Sequence, residues 1–398
     1  MRSSASQANA ANIDFQDSRT TMPMISTETQ TSAQRDEAKR YGRLTLRLSL
    51  ADMAIDLVYL TLAAFWLGPR IDRWLSDFAP LSGDQSLLRV AALVAALFAI
   101  HAMISFPLSV YTGHVVEHRF QLSQQTLGRW LRKYLLRMTL SLAFSAALFT
   151  GLYAIIWWVG AYWWLAAAGA FFVVSVILGQ LAPVLFLPLF YKIERLEDTA
   201  LVERMQALAA GTGLTVEGVY RMKLSEETSK ANAMLAGLGR TRRVLMGDTL
   251  LDSFTPDEID VIFAHEIGHH VHRHIPKLIA TGVAVSLLGF WLCDQFIRGW
   301  TGIADPATWP VATQPLLVWF TTLYMMALGP LTNAISRRYE RQCDRYALRR
   351  TSNAAAYRTA FTKLARLNKA DMDPNPVEVM LFHSHPPIAE RLLIADEV

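Results

Sequence analysis

Six long apolar stretches constrain this chain more than any other feature of its sequence. They lie at about 48–69, 87–107, 136–158, 161–190, 277–297 and 315–335. About twenty apolar residues in a helix cross the roughly 30 Å hydrocarbon core of a bilayer. Within that core every backbone polar group needs an internal partner, which makes helices the expected form. Composition agrees: 52% of the residues are hydrophobic and only 18% charged. The expected fold is a mainly α-helical integral membrane protein of about six transmembrane helices. A small α+β domain, a short antiparallel sheet with one motif-bearing helix, is expected between the fourth and fifth.

The stretches differ in ways that carry information. The first contains Asp52 and Asp56, which are costly inside a membrane and belong at an interface or facing a wet interior. The third and fourth form a hairpin with the aromatic tip "YAIIWWVGAYWW", the composition of an interfacial turn. Pro183 and Pro188 should kink the fourth. Basic residues precede the first stretch (Arg35, Lys39, Arg40, Arg43, Arg47), separate the second from the third (Arg129, Arg132, Lys133, Arg137) and follow the sixth (Arg337, Arg338, Arg341, Arg345). The opposite side holds only Arg70, Arg73, Arg89 and Arg298. Six spans place every basic segment on one face, expected to be cytoplasmic together with the N-terminus. The net charge of +4 therefore reads as membrane-orienting, and without a compact Lys/Arg block no nucleic-acid partner is expected. Two cysteines, Cys293 and Cys343, exclude a four-thiolate zinc site and a disulfide-stapled scaffold. Residues 1–38 are polar, lack the apolar core of a signal peptide, and read as a disordered tail. The expected organisation is this tail, a four-span membrane domain over 39–191, a catalytic insert over 192–275, a two-span hairpin over 276–335 and a C-terminal catalytic segment over 336–398.

The insert carries the chemistry. "LEDTALVERMQALAAGTG" predicts an amphipathic helix ending at glycine, and "EGVYRMKLS", "ANAMLAGL" and "RRVLMGD" predict short strands, the last two joined by a Gly-containing turn. "TPDEIDVIFAHEIGHHVHRH" predicts a helix with Thr255 as N-cap, Pro256 in the first turn and Glu258 completing a capping box. Five of the ten histidines fall in its last part. His265-Glu266-Ile267-Gly268-His269 fits H-E-x-x-H, which sets two imidazoles one turn apart on one helix face. Both can hold one zinc ion, which lowers the pKa of water, while Glu266 takes a proton as that water attacks a peptide carbonyl. His270, His272 and His274 lie elsewhere on the helix or past its end and read as bystanders.

A catalytic site needs a third protein ligand and an open position. "SRRYERQCDRYAL" offers Glu340 and Asp344, one helical turn apart. Glu340 would complete a set of two histidines and one glutamate, and Asp344 would hydrogen-bond the far nitrogen of a ligand histidine. The same segment also reads as a solvated charged helix whose acids pair with neighbouring arginines.

Several stretches taken together resemble the type I CAAX prenyl endopeptidases, integral-membrane zinc metalloproteases of the gluzincin kind. They are "FPLSVYTGHVVEHRFQLSQQTLGRWL" (106–131), "APVLFLPLFYKIERLED" (182–198), "SKANAMLAGLGRTRRVLMGDTLL" (229–251), "FTPDEIDVIFAHEIGHH", "SRRYERQCDRYAL" (336–348) and "FHSHPPIAERL" (382–392), in family order. The resemblance implies that the small α+β insert is a zincin-like catalytic domain, with Glu340 as third zinc ligand, Asp344 as its partner behind the ligands and one Zn2+ per chain. It implies that His385, in Ser384-His385-Pro386, donates to the oxyanion with Arg391 supporting it. Substrate would add as a strand beside Asn232-Ala233, with Asn232 fixing its backbone. The family's eukaryotic members carry seven spans around a chamber, with three before the loop matched by 106–131; this chain has two there.

These readings imply a membrane-embedded endopeptidase acting on peptides or proteins at the cytoplasmic face of a lipid bilayer. The family name points to a prenylated C-terminal peptide. The competing readings are a quality-control protease for unmodified membrane or misfolded proteins, and a transporter or scaffold that binds metal without chemistry. Glu266 argues against the last, because a structural metal site needs no base.

Overall fold

A computed structural model describes residues 31–397 apart from 84, 215–217 and 238–242. Its first helix starts on a capping box: the Gln34 amide donates to Thr31 Oγ1, and the Thr31 amide donates to the Gln34 side chain. Helix α1 (Ser32–Leu62) runs on through a π turn at Ala63–Leu67 into α2 (Gly68–Ser76). The tail expected over 1–38 is thus helical from Ser32, where the cap is followed by good helix formers; residues 1–30 lie outside the described residues. The polar half of α1 is fixed by distant partners. Lys369 donates to Glu37 (2.6 Å), and Tyr41 donates to Glu117 (2.6 Å) while accepting from Lys230 (3.0 Å).

Helix α3 (Leu87–Val110) meets α1 within the apolar region. There Asp56 Oδ1 lies 2.7 Å from His101 Nε2, with Ser105 Oγ 3.2 Å from the same nitrogen. The costly aspartate is therefore partnered across two helices. Helices α4 (Leu127–Val159) and α5 (Trp163–Leu181) form the expected hairpin. Gly160, at φ +65°, reverses the chain in a conformation unfavourable for a residue with a Cβ. Lys133 then donates to the Phe190 carbonyl (2.5 Å), and the rings of Phe144 and Phe186 lie 5.4 Å apart. The proline-bearing end of this stretch breaks into a π turn at Ala182–Phe186, as its prolines require.

The soluble insert follows. It contains β1 (Ile193–Arg195), α6 (Thr199–Ala209), β2 (Gly218–Met222), β3 (Ala233–Ala236), β4 (Arg243–Gly247) and α7 (Pro256–Val271). The sheet order is β1-β2-β4-β3. β1 on β2 and β3 on β4 are antiparallel, whereas β2 on β4 is parallel. The expected all-antiparallel sheet is therefore corrected to a mixed one. The connection from β2 leads to the edge strand β3, which returns as β4 into the centre beside β2. The glycine-containing turn expected between β3 and β4 falls largely on residues 238–242, outside the described residues. Leu201 and Met205 of α6, Val219, Val244 and Met246 of the sheet, and Ile259, Phe263 and Ile267 of α7 form the core beneath it.

The chain then re-enters the bundle. Helices α8 (His274–Thr301) and α9 (Gln314–Thr351) precede α10 (Ala354–Leu367), α11 (Pro376–Phe382) and α12 (Ile388–Ile394). Among the described residues, five continuous helical runs are long and apolar enough to cross a membrane, and one of them, Leu127–Phe190, is the α4–α5 hairpin. All six apolar stretches thus lie in helices. The bundle is knitted most densely at the ends away from the motif. There Trp157 donates to the Trp309 carbonyl (2.9 Å), Trp163 donates to Asp294 (2.7 Å), and the buried Arg89 and Asp72 pair at 3.0 Å. Large side chains such as Phe171, Val173, Ile177 and Leu288 remain exposed along the helix bodies, the surface expected to meet lipid.

Candidate metal centre

Helix α7 begins on the predicted capping box: Glu258 N–H donates to Thr255 Oγ1 (3.4 Å), and Thr255 N–H donates to Glu258 Oε2 (2.8 Å). Lys363 of α10 donates to the same carboxylate (2.7 Å), which pins the helix start. Ile259, Ile262, Phe263 and Ile267 bury one face in the insert core. The face bearing His265 and His269 lies on α9, and Gly268 permits the contact. A Cβ there would stand 3.0 Å from Cys343 Cα and 3.2 Å from its Sγ.

This close approach brings Glu340 and Asp344 to the histidines. His265 Nδ1 donates to Asp344 Oδ1 (2.9 Å), which turns Nε2 towards Glu340 Oε2 (3.1 Å). His269 Nε2 lies 3.4 Å from Glu340 Oε1, and His385 Nε2 lies 3.5 Å from that oxygen. Burial alone would lower the His265 imidazole, but its bonds to Asp344 and Glu340 outweigh burial and raise it to about 9. Arg391 donates through Nε and Nη2 to the two Asp344 oxygens (2.9 and 2.6 Å) and lies 3.9 Å over the Phe361 ring. The arginine expected to support His385 also pairs with Asp344; both are buried and each needs a counter-charge.

The donor set fits a divalent ion of the borderline class. Ligand bonds near 2.0 Å in tetrahedral geometry give donor-to-donor edges of about 3.3 Å, and each Glu340 oxygen stands close to that distance from one imidazole, Oε2 at 3.1 Å from His265 Nε2 and Oε1 at 3.4 Å from His269 Nε2. His265, His269 and Cys343 also offer ligand atoms within 4.8 Å of one another. The Cys343 thiol, however, faces His274 Nδ1 (3.6 Å), whereas His265 has its Nδ1 taken by Asp344. Both Nε2 atoms converge on Glu340, so the glutamate is the better third donor.

A cavity of about 810 Å³ opens onto this cluster, and Glu266, His385, Arg391, Asn232 and Ala233 all line it. Asn232 is exposed, and its carbonyl accepts from Gly247 N–H (2.9 Å). Asn368 clamps the preceding residue, accepting from Ala231 N–H (2.9 Å) and donating to its carbonyl (3.2 Å). β3 is thereby held as the sheet edge along the cavity. The structure brings every sequence-predicted site residue to one place. It also adds two groups that sequence reasoning missed. The polar half of α1 supplies Thr45, Ser49 and Leu50 to the cavity wall. His274, read as a bystander, is buried against His269, with their Nδ1 atoms 3.2 Å apart.

Fold and site together define an integral-membrane metalloendopeptidase. The chain belongs to peptidase family M48, whose family model matches residues 195–397, more than half of its length. Residues 14–192 match the model described as CAAX prenyl protease N-terminal, five membrane helices; among the described residues this chain has four such helices there. An uncharacterized metalloprotease of Bacillus subtilis, YhfN, is 27% identical over 371 residues, covering 90% of this chain and 85% of that one. CAAX prenyl protease 1 of Saccharomyces cerevisiae is 28% identical over 330 residues, covering 76% and 71%. The crystal structure of S. mikatae Ste24p shares the fold, with a TM-score of 0.81, 24% identity and coverage of 95% and 92%.

Proposed function

We propose that this chain is a zinc endopeptidase working at the cytoplasmic membrane surface on prenylated C-terminal peptides. The observation that carries the reading is the approach of His265 Nε2 and His269 Nε2 to the Glu340 carboxylate, at a cavity that His265, Glu266 and Glu340 line together with Asn232 and Ala233 of the sheet edge. His265, His269 and Glu340 hold one Zn2+, with Asp344 and Arg391 fixing the His265 tautomer. When bound, the zinc supplies Lewis acidity for water and for the scissile carbonyl. Glu266 accepts the proton of the attacking water and passes it to the leaving amine. Ser384 Oγ lies 3.0 Å from His385 Nδ1; with the serine hydroxyl as donor there, the His385 proton is on Nε2 and donates to the developing oxyanion. Asn232 and Ala233 align the substrate as an added strand on β3. The membrane domain over 39–191 and the hairpin over 276–335 place this machinery against the bilayer, with the basic segments setting its side.

The test is cleavage by purified protein of one peptide with and without a farnesyl-type lipid on its cysteine, with Glu266→Ala as blank. Strong preference for the lipidated peptide supports the proposal. Equal cutting, or cutting of the plain peptide alone, replaces the prenyl substrate with a general membrane-protein one.

A further inference from the structure

His269 is half-buried at the end of α7, and among the described residues no carboxylate plays for it the part Asp344 plays for His265. Its far nitrogen instead meets His274. The chain between α7 and α8 is only His272 and Arg273, and Arg273 takes φ +56° and ψ +41°, a left-handed conformation disfavoured for any residue with a Cβ. This break folds His274 back beneath His269, where its ring is fully buried. Three side chains of α9 hold it. Tyr339 stacks on the ring at 4.2 Å and 10°, Gln342 Oε1 lies 2.9 Å from Nε2, and Cys343 Sγ lies 3.6 Å from Nδ1. Positions 339, 342 and 343 share one stripe of the helix, adjacent to the stripe carrying Glu340 and Asp344.

We propose that His274 is a positioning residue that fixes His269 in its metal-binding tautomer through a Gln342–His274–His269 hydrogen-bond chain. The assignment follows from proton counting. Gln342 Oε1 can only accept, so the His274 proton is on Nε2 and its Nδ1 presents a lone pair. That lone pair accepts the proton of His269 Nδ1 across 3.2 Å. The lone pair of His269 is then on Nε2, the atom 3.4 Å from Glu340. The reverse amide orientation would run the chain the other way and leave the proton on His269 Nε2, where no metal could bind. Each zinc-facing histidine is thus set by α9: His265 directly through Asp344, His269 at one remove through Gln342. The inference rests on the proposed zinc set.

The experiment is zinc release from the detergent-purified full chain into a chromophoric chelator, alongside the thermal stability of the metal-free protein. His274→Phe keeps a ring to stack on Tyr339 but cannot accept from His269. Gln342→Leu removes the acceptor at the head of the chain, and Gln342→Glu keeps one. Loss of a partner behind a metal ligand weakens zinc sites by about 10–100-fold, so His274→Phe and Gln342→Leu should release zinc faster by about that factor, with Gln342→Glu within about threefold of wild type. A merely structural contact would change metal-free stability while leaving release untouched. Wild-type release rates in His274→Phe and Gln342→Leu would overturn the inference while the zinc set stands; if His274→Phe does not fold, the two Gln342 variants decide. A wild-type chain that holds no zinc would overturn both.

Discussion

Gly268 lies in the middle of the H-E-x-x-H motif, and Gly268→Ala separates helix propensity from helix contact. Replacing a mid-helix glycine by alanine should stabilise a helix by about 1 kcal/mol. Here the added Cβ would meet Cys343 Cα at 3.0 Å and Cβ at 3.1 Å. These atoms belong to the body of α9 and cannot swing aside, so the helices must separate by a few tenths of an ångström. Overpacking of this kind costs about 1–3 kcal/mol. The net effect on stability is therefore a loss of about 0–2 kcal/mol, and the variant should still fold. The metal site is less forgiving, because the displacement acts on the 3.1 and 3.4 Å edges between Glu340 and the two imidazoles. A shift approaching 0.5 Å is at the tolerance of a ligand set, and zinc affinity should fall by about tenfold, or 1.4 kcal/mol. Chelator competition measures the affinity and a thermal scan of the metal-free protein the stability. An alanine variant that binds zinc as wild type does and gains about 1 kcal/mol would refute the close contact of the two helices.

Four further outcomes follow from the site and its supports. Glu266→Ala should abolish cleavage with zinc still bound, whereas Glu340→Ala should lose the zinc; elemental analysis of both variants beside a cleavage assay checks this. Asp344→Ala leaves the buried Arg391 without its counter-charge, costing about 3–5 kcal/mol, and adding Arg391→Met should restore part of that loss, measured as a double-mutant cycle. Burial alone would raise the carboxyls of Asp248 and Glu258, but hydrogen bonds from Ser225, Leu224 and Thr249 to the first, and from Lys363 and Thr255 to the second, hold both below the ordinary range. Their contribution is complete above the unfolded carboxylate pKa of about 4 and is lost as pH falls through the depressed folded values. Thermal scans from neutral to acid pH should show this loss, and Asp248→Asn should flatten it.

What the sequence revealed and what it hid divide along the range of the forces involved. The start of α7 was legible because Thr255, Pro256 and Glu258 act within one turn. The pairing of Glu340 with the histidines was not, since the residues alone left open a solvated charged helix; the family resemblance closed that gap. Arg391 was drawn to the site by the same resemblance, but its bond to Asp344 was not legible, because it depends on the burial of both groups. β1 is three residues long and polar in two of them, too short for an alternating pattern, and the parallel register of β2 on β4 depends on a crossover that no local signal marks. The polar half of α1 looked like tail because its stabilising partners, Glu117, Lys230 and Lys369, are 76 to 332 residues away. His274 was hidden by a single left-handed residue, Arg273, after which helical counting from His269 no longer tells where a side chain points.

One continuous helix joins the candidate metal site to a stretch long and apolar enough to cross a membrane. Helix α9 runs from Gln314 to Thr351 without interruption, and its apolar stretch ends near residue 335. At 1.5 Å per residue, Glu340 lies only about 8 Å beyond that end. His274, which opens α8, lies against the same part of α9 through Tyr339 and Gln342. Glu340 is therefore held close to the end of that apolar stretch by a membrane-capable helix, and His265 and His269 are brought to it on α7, which only two residues separate from α8. A bond cut here must be presented close to the apolar boundary. A peptide whose neighbouring residue carries a lipid reaches that depth by partitioning alone, whereas a plain soluble peptide must be held there by the β3 edge and the cavity wall. The cleavage comparison with and without the lipid thus measures how much of substrate recognition the bilayer supplies.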